Sequence, residues 1–289
     1  MDNSRHSRLP AFMPALSLAI LLGFEYAAEN QYITVDLKMY GLTTAAAFLF
    51  PLAVMLIGMK GTEGVTYRFR PFRLRYLTVT VLSAVALSLF CFLLNWISAK
   101  TLSGGLVQNA VSGAGAPTWQ LLLVSILFPA VCEELFFRGG LLSGLESDGT
   151  YAAMIVSALA FAMIHGDLSN IVGPFAAGMV YGYMTYASGS VWTAVIAHCI
   201  NNAMAFGVNY LLKRYAAVGL WQYFVIIVLF LFLIFLYLAM GRLEKLVERG
   251  RVPRIRHIGA AQTVSAIFLS PGLWALIIIF ALKTFYLAS

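Results

Sequence analysis

Cys132-Glu133-Glu134-Leu135-Phe136-Phe137-Arg138 puts two acids and a base inside a run that is otherwise apolar from Leu121 to Leu142. Ionisable groups are expensive at that depth, and acids or bases inside a membrane are functional candidates by default. On a helix, neighbours point about 100° apart, whereas i and i+4 differ by about 40°. Glu134 and Arg138 therefore share a face, with the acid N-terminal to the base, the favoured order for a helical ion pair. Glu133 lies on another face, with no partner in its own helix. The spacing assigns a structural ion pair to Glu134–Arg138 and leaves Glu133 for chemistry, as a base on water, a proton relay or a metal ligand.

Two more polar pairs at i,i+4 spacing sit in apolar runs, Phe161-xxx-His165 and His198-xxx-Asn202. Turns at Ser147-Asp148-Gly149 and Ser188-Gly189-Ser190 give a common origin for estimating depth. At 1.5 Å per residue, Glu133 lies roughly 22 Å and His165 roughly 24 Å from that face, with His198 and Asn202 at roughly 14 and 20 Å. A carboxylate, two imidazoles and a carboxamide from three helices thus reach neighbouring levels. A lone intramembrane His or Asn often does no more than bond a neighbouring helix; convergence at one depth is what points to a site. Phe161 reads as packing under His165, and Gly178-xxx-Gly182 as close helix contact.

The elements that must hold these residues are hydrophobic spans. The chain has 289 residues, 61% hydrophobic and 11% charged, where soluble domains average about 25% charged. It is read as an all-α, polytopic transmembrane bundle of about 8–9 spans. The apolar runs lie near 9–28, 40–59, 76–98, 118–146, 150–166, 170–187, 191–212, 217–240 and 262–286. The first is long enough to span and is taken as an uncleaved helix. As one helix, 118–146 would reach about 43 Å, so it must tilt or protrude. The Gly-rich stretch 103–117 reads as an external loop.

Net charge is +7, carried in loops, which points to membrane orientation and not to nucleic acid. With the N-terminus cytoplasmic, thirteen Lys and Arg fall on the cytoplasmic side against four opposite. They concentrate in the Lys60–Arg75 and Arg242–Arg256 loops, which would also meet anionic lipid. The expectation is N-in, C-out. Cys91, Cys132 and Cys199 all fall in apolar runs without CxxC spacing, and are read as core residues rather than disulfides or metal ligands. Trp96, Trp119, Trp192 and Trp221 fall near the expected interfaces as belt anchors.

Glu-Glu-xxx-Arg (133–138), Phe-xxx-His (161–165) and His-xxx-Asn (198–202), in this order, resemble the CPBP intramembrane proteases, the Abi family related to the type II CAAX prenyl endopeptidase. The likeness covers roughly 118–209, with 1–117 and 210–289 as flanking membrane helices. It implies hydrolysis of a peptide bond in a membrane-embedded or lipid-anchored substrate. Glu133 then matches the catalytic base on water, His165 its orienting partner, and His198 with Asn202 the oxyanion donors, supported by Glu134, Arg138 and Phe161. No cofactor is favoured. Zinc is the alternative, held by Glu133, His165 and His198 with an open water position; absence of HExxH and the poor ligand quality of Asn favour a glutamate-type mechanism. A bacterial inner membrane is the expected setting. Two readings from other classes compete: a proton-coupled transporter using the same buried groups, for which no inverted repeat is evident, and a non-catalytic scaffold.

Overall fold

The computed structural model of the protein describes residues 8–62, 65–97, 118–165, 168, 171–215, 221–255, 264–265 and 268–287. Among these there is no strand, and nearly every residue is helical. In chain order the helices are α1 (Arg8–Glu29), α2 (Leu37–Gly58) and α3 (Leu77–Ile97). Next come α4 (118–145), α5 (Thr150–Ile164), α6 (Val172–Ser188), α7 (Val191–Tyr215), α8 (Trp221–Glu248) and α9 (Pro271–Leu282). The protein is a polytopic all-α membrane bundle. Six helices have the length and apolarity of a full span, while α5 and α9 are apolar but shorter. The Gly-rich stretch 103–117 falls outside the described residues.

Local chemistry sets most of the boundaries. Asp36 caps α2 by accepting from the Met39 N–H at 2.7 Å, which satisfies one of the free donors at a helix start. The expected turns lie at Gly149 (φ 115°) and Gly189 (φ 71°), backbone conformations that an L side chain resists. Two ends differ from expectation. α8 runs on to Glu248 instead of stopping near 240, because Arg242, Leu243, Glu244, Lys245 and Leu246 are good helix formers that carry it through Gly241 toward Gly250. α9 starts at Pro271, later than 262, where the Ser270 hydroxyl accepts from the Leu273 N–H and proline takes the first helical position.

The long fourth run departs most from a regular rod. α4 contains two π-helical turns, Leu123–Leu127 and Leu135–Leu141, on either side of Phe128–Glu134. Such turns fit more residues into less length than an α-helix and recur at functional sites. They therefore absorb part of the surplus length anticipated from the sequence.

α1 packs between α2 and α9, α3 against α6, α7 and α8, and α5 against α6. α5 is buried over most of its length. An aromatic chain joins α2, α4, α5 and α6 through Phe48–Phe136, Phe136–Phe137, Phe137–Phe161 and Phe161–Tyr181. At one end the arginine-bearing loops are tied to helix ends. Arg68 bonds Glu146 at 2.7 Å, and its carbonyl accepts from the Val191 N–H at 2.8 Å. Trp192 donates to the Phe69 carbonyl at 3.1 Å. Tyr76 and Tyr186 donate to the carbonyls of Arg251 and Arg254 at 2.7 and 3.1 Å. Both basic loops thus lie on one face.

Candidate active site

Two linked polar clusters form where α4, α5, α6 and α7 meet. The first is a carboxylate–imidazole pair. Glu133, at the end of the α-helical part of α4, is 8% exposed, and its Oε2 lies 3.7 Å from His165 Nε2. His165 caps α5 and stands at the edge of the cluster, its side chain 38% exposed. Its Nδ1 is 2.7 Å from the Phe161 carbonyl. A carbonyl can only accept, so Nδ1 carries the hydrogen, which in the neutral tautomer leaves Nε2 bare toward Glu133. Glu133 Oε2 is itself buried without a hydrogen-bond partner. Two acceptors facing across 3.7 Å do not bond each other. They fit a group that donates to both, such as water.

The second cluster is a buried relay. Glu134, with no exposed surface, lies 3.0 Å from Arg138 through one carboxylate oxygen and 3.1 Å through the other. Its Oε1 also lies 2.8 Å from His198 Nδ1. A carboxylate paired with a guanidinium accepts, so this contact puts a hydrogen on His198 Nδ1 and directs Nε2 the other way. Arg138 donates further to the Gly178 carbonyl at 3.0 Å. Its guanidinium carbon sits 4.7 Å from the Phe161 ring centre and 5.3 Å from that of Tyr181. Ring faces attract a desolvated cation, so the charge is met on several sides.

Phe161 joins the clusters. Its ring is 4.4 Å from that of His165 and 5.6 Å from that of His198, and its carbonyl sets the His165 tautomer. The residue expected to be packing alone thus also acts through its backbone. Asn202, one turn beyond His198, donates to the Ile126 carbonyl at 3.4 Å. Ile126 belongs to the first π-helical turn of α4; the second hydrogen of the carboxamide remains available.

Of the residues singled out in the sequence, Glu133 thus lies on His165, Glu134 between Arg138 and His198, and Phe161 against both imidazoles, while the partner of Asn202 is the Ile126 carbonyl. Reading the sequence missed Tyr181 and the Gly178 carbonyl. Tyr181 has no exposed surface and stacks on His198 at 5.2 Å with an interplanar angle of 22°. An aromatic in an apolar helix looks like packing. The one available signal is that Gly178 and Tyr181, three apart, share a face.

The set Glu133, His165 and His198 does not converge as a metal centre. His198 is turned onto Glu134, and no three His, Cys, Asp or Glu side chains among the described residues are placed to hold an ion. Cys91, Cys132 and Cys199 are free thiols.

Fold and site together define a multi-pass integral membrane protein with an acid–imidazole–amide centre enclosed by its helices. Residues 115–204 match the family model described as type II CAAX prenyl endopeptidase Rce1-like. This segment, which carries all three motifs, is therefore similar to the CAAX proteases over about a third of the chain. No curated protein matches the chain, and no solved structure does.

Proposed function

We propose that the protein is a glutamate-type intramembrane endopeptidase whose base is Glu133. Glu133 Oε2 and His165 Nε2 would accept the two hydrogens of one water, leaving its lone pairs toward a substrate carbonyl. Glu133 takes one proton as the water oxygen bonds the carbonyl carbon. The resulting oxyanion is held by Asn202 and by His198, whose ring enters the step as an imidazolium, donates from Nε2 and keeps its proton throughout; the Glu134 carboxylate at Nδ1 compensates that charge. Glu133 then passes its proton to the leaving nitrogen as the C–N bond breaks, giving a carboxylic acid and an amine. The sequence of roles needs no metal.

The observation that carries this reading is the facing pair of acceptors, Glu133 Oε2 and His165 Nε2. A proton relay would fit a continuous chain of donors and acceptors better than a pair fitted to a small third molecule. Membrane-associated proteins are the substrate class, by analogy with the family description, and 118–209 is the catalytic core. The arginine loops support a cytoplasmic assignment for their face, hence N-in, and the compact connections suit a bacterial inner membrane. Comparative membrane proteomics of cells carrying the protein or its Glu133→Gln variant tests the proposal. An uncut precursor should accumulate with the variant, cleavage falling by about 10²–10⁴-fold as for loss of a general base. Unchanged cleavage in membranes with normal levels of the variant would sink it.

A further inference from the structure

Hydrolysis inside a hydrophobic bundle needs a supply of water. Several hydroxyls on the helices satisfy themselves by bonding the carbonyl four residues back. Thr43 bonds Met39, Thr44 bonds Tyr40, Ser88 bonds Ala84, and Ser188 bonds Met184, at 2.7–3.0 Å. Thr80 on α3 and Thr185 on α6 have the same option and do not take it. Both are 0% exposed, and both hydroxyl oxygens lack any partner. The Tyr181 hydroxyl, one turn from Thr185 on the same face of α6, is likewise buried and unpartnered.

The three lie on two helices in contact, α3 and α6. The start of α3 and the end of α6 meet the same basic strap through Tyr76 and Tyr186, so the helices run in opposite senses, and the Cys91 thiol lies 3.8 Å from the Gly173 carbonyl between them. Counting equal steps from that contact in opposite directions brings Thr80 level with residue 184, beside Thr185. Tyr181 lies about 6 Å deeper along α6, where its ring stacks on His198. Thr185 is three residues from the end of α6, on the face that carries the arginine loops. The hydroxyls therefore descend from that face to the site. A buried water takes 2–4 polar partners, and buried polar groups are ordinarily paired.

We propose that Thr80, Thr185 and Tyr181 line a water-binding path between α3 and α6, leading from the arginine-bearing face to the His198 side of the site. The path rests on the hydrolytic reading for its purpose, but its occupancy by water does not depend on protease activity.

The test is radiolytic hydroxyl-radical footprinting of the full chain in nanodiscs, which oxidises buried aromatics only where water lies beside them. Phe136 and Phe137, also 0% exposed, serve as dry references, each rate normalised to the unfolded protein. Tyr181 should be oxidised several-fold faster than either. Thr80→Val with Thr185→Val, near-isosteric changes that remove both hydroxyls, should bring Tyr181 down to the reference rate. Thr80→Ser with Thr185→Ser should keep it high. Oxidation of Tyr181 no faster than the references overturns the proposal, as does fast oxidation indifferent to the valine pair. Loss of cleavage in Glu133→Gln with Tyr181 still protected would leave the protease standing and remove only the path.

Discussion

At the scale of single residues, adjacent glutamates meet opposite surroundings through a rotation of about 100° on one helix. Glu133 faces an imidazole at the exposed edge of the cluster; Glu134 faces a guanidinium and a second imidazole with no exposed surface. Replacing Glu134 by Gln leaves Arg138 buried beside a neutral amide, the situation in which a broken internal pair costs about 3–5 kcal/mol. Thermal unfolding in detergent should reveal that loss. Adding Arg138→Met removes the stranded charge and should recover much of the stability, yet not activity, since His198 still lacks its anchor. Recovery of cleavage in the double variant would contradict the role given to Glu134. Asn202→Ala should instead leave unfolding nearly unmoved and slow cleavage by about 10²–10³-fold, the usual effect of deleting one oxyanion donor.

Among the elements, α6 is pinned closely against α5. A Cβ on Gly178 would come within 2.7 Å of the Ala158 Cα and 2.8 Å of its Cβ, so α5 and α6 touch backbone to backbone there. The same residue presents its carbonyl to Arg138. At Gly182, by contrast, a Cβ would meet Met154 at 3.6 Å, an ordinary contact. Of the Gly178-xxx-Gly182 pair, only the first is a close approach. Gly178→Ala should therefore destabilise by about 1–3 kcal/mol, as overpacking does, and reduce cleavage as Arg138 and Tyr181 shift. Gly182→Ala should do neither, and thermal melts of the two variants separate the cases. The π-helical turns in α4 belong to this scale too. The first leaves a carbonyl at Ile126 that Asn202 reaches from α7, which joins the two helices beside the site.

For the whole molecule, the basic loops are structural as well as topological. Segment 68–70 is bonded to Glu146 and to the start of α7, so the ends of α4 and α7 are clasped by a loop from between α2 and α3. Tyr76 and Tyr186 hold 251–254 onto the same face. Removing the two phenol hydroxyls with Tyr76→Phe and Tyr186→Phe deletes bonds worth about 0.5–1.5 kcal/mol each. The exposed Arg254 should then be cut by trypsin several-fold faster in intact membranes, with little change in global melting. Equal digestion rates would mean the strap is held by other contacts.

The all-helical, many-span architecture was legible without coordinates, because 61% hydrophobic composition in runs of span length leaves the backbone few ways to satisfy itself in lipid. So were the Glu134–Arg138 pair and the common level of Glu133 and His165, since helical rise and angle convert spacing directly into position. What tertiary structure alone decided was which partner each imidazole takes. His165 turns to Glu133 and His198 to Glu134, a choice made by the crossing of α4, α5 and α7 and by the Phe161 carbonyl. Tyr181 over His198 and Gly178 beneath Arg138 came from the same source. These contacts join residues 17 to 64 positions apart, and no local pattern encodes the rotation of one packed helix against another.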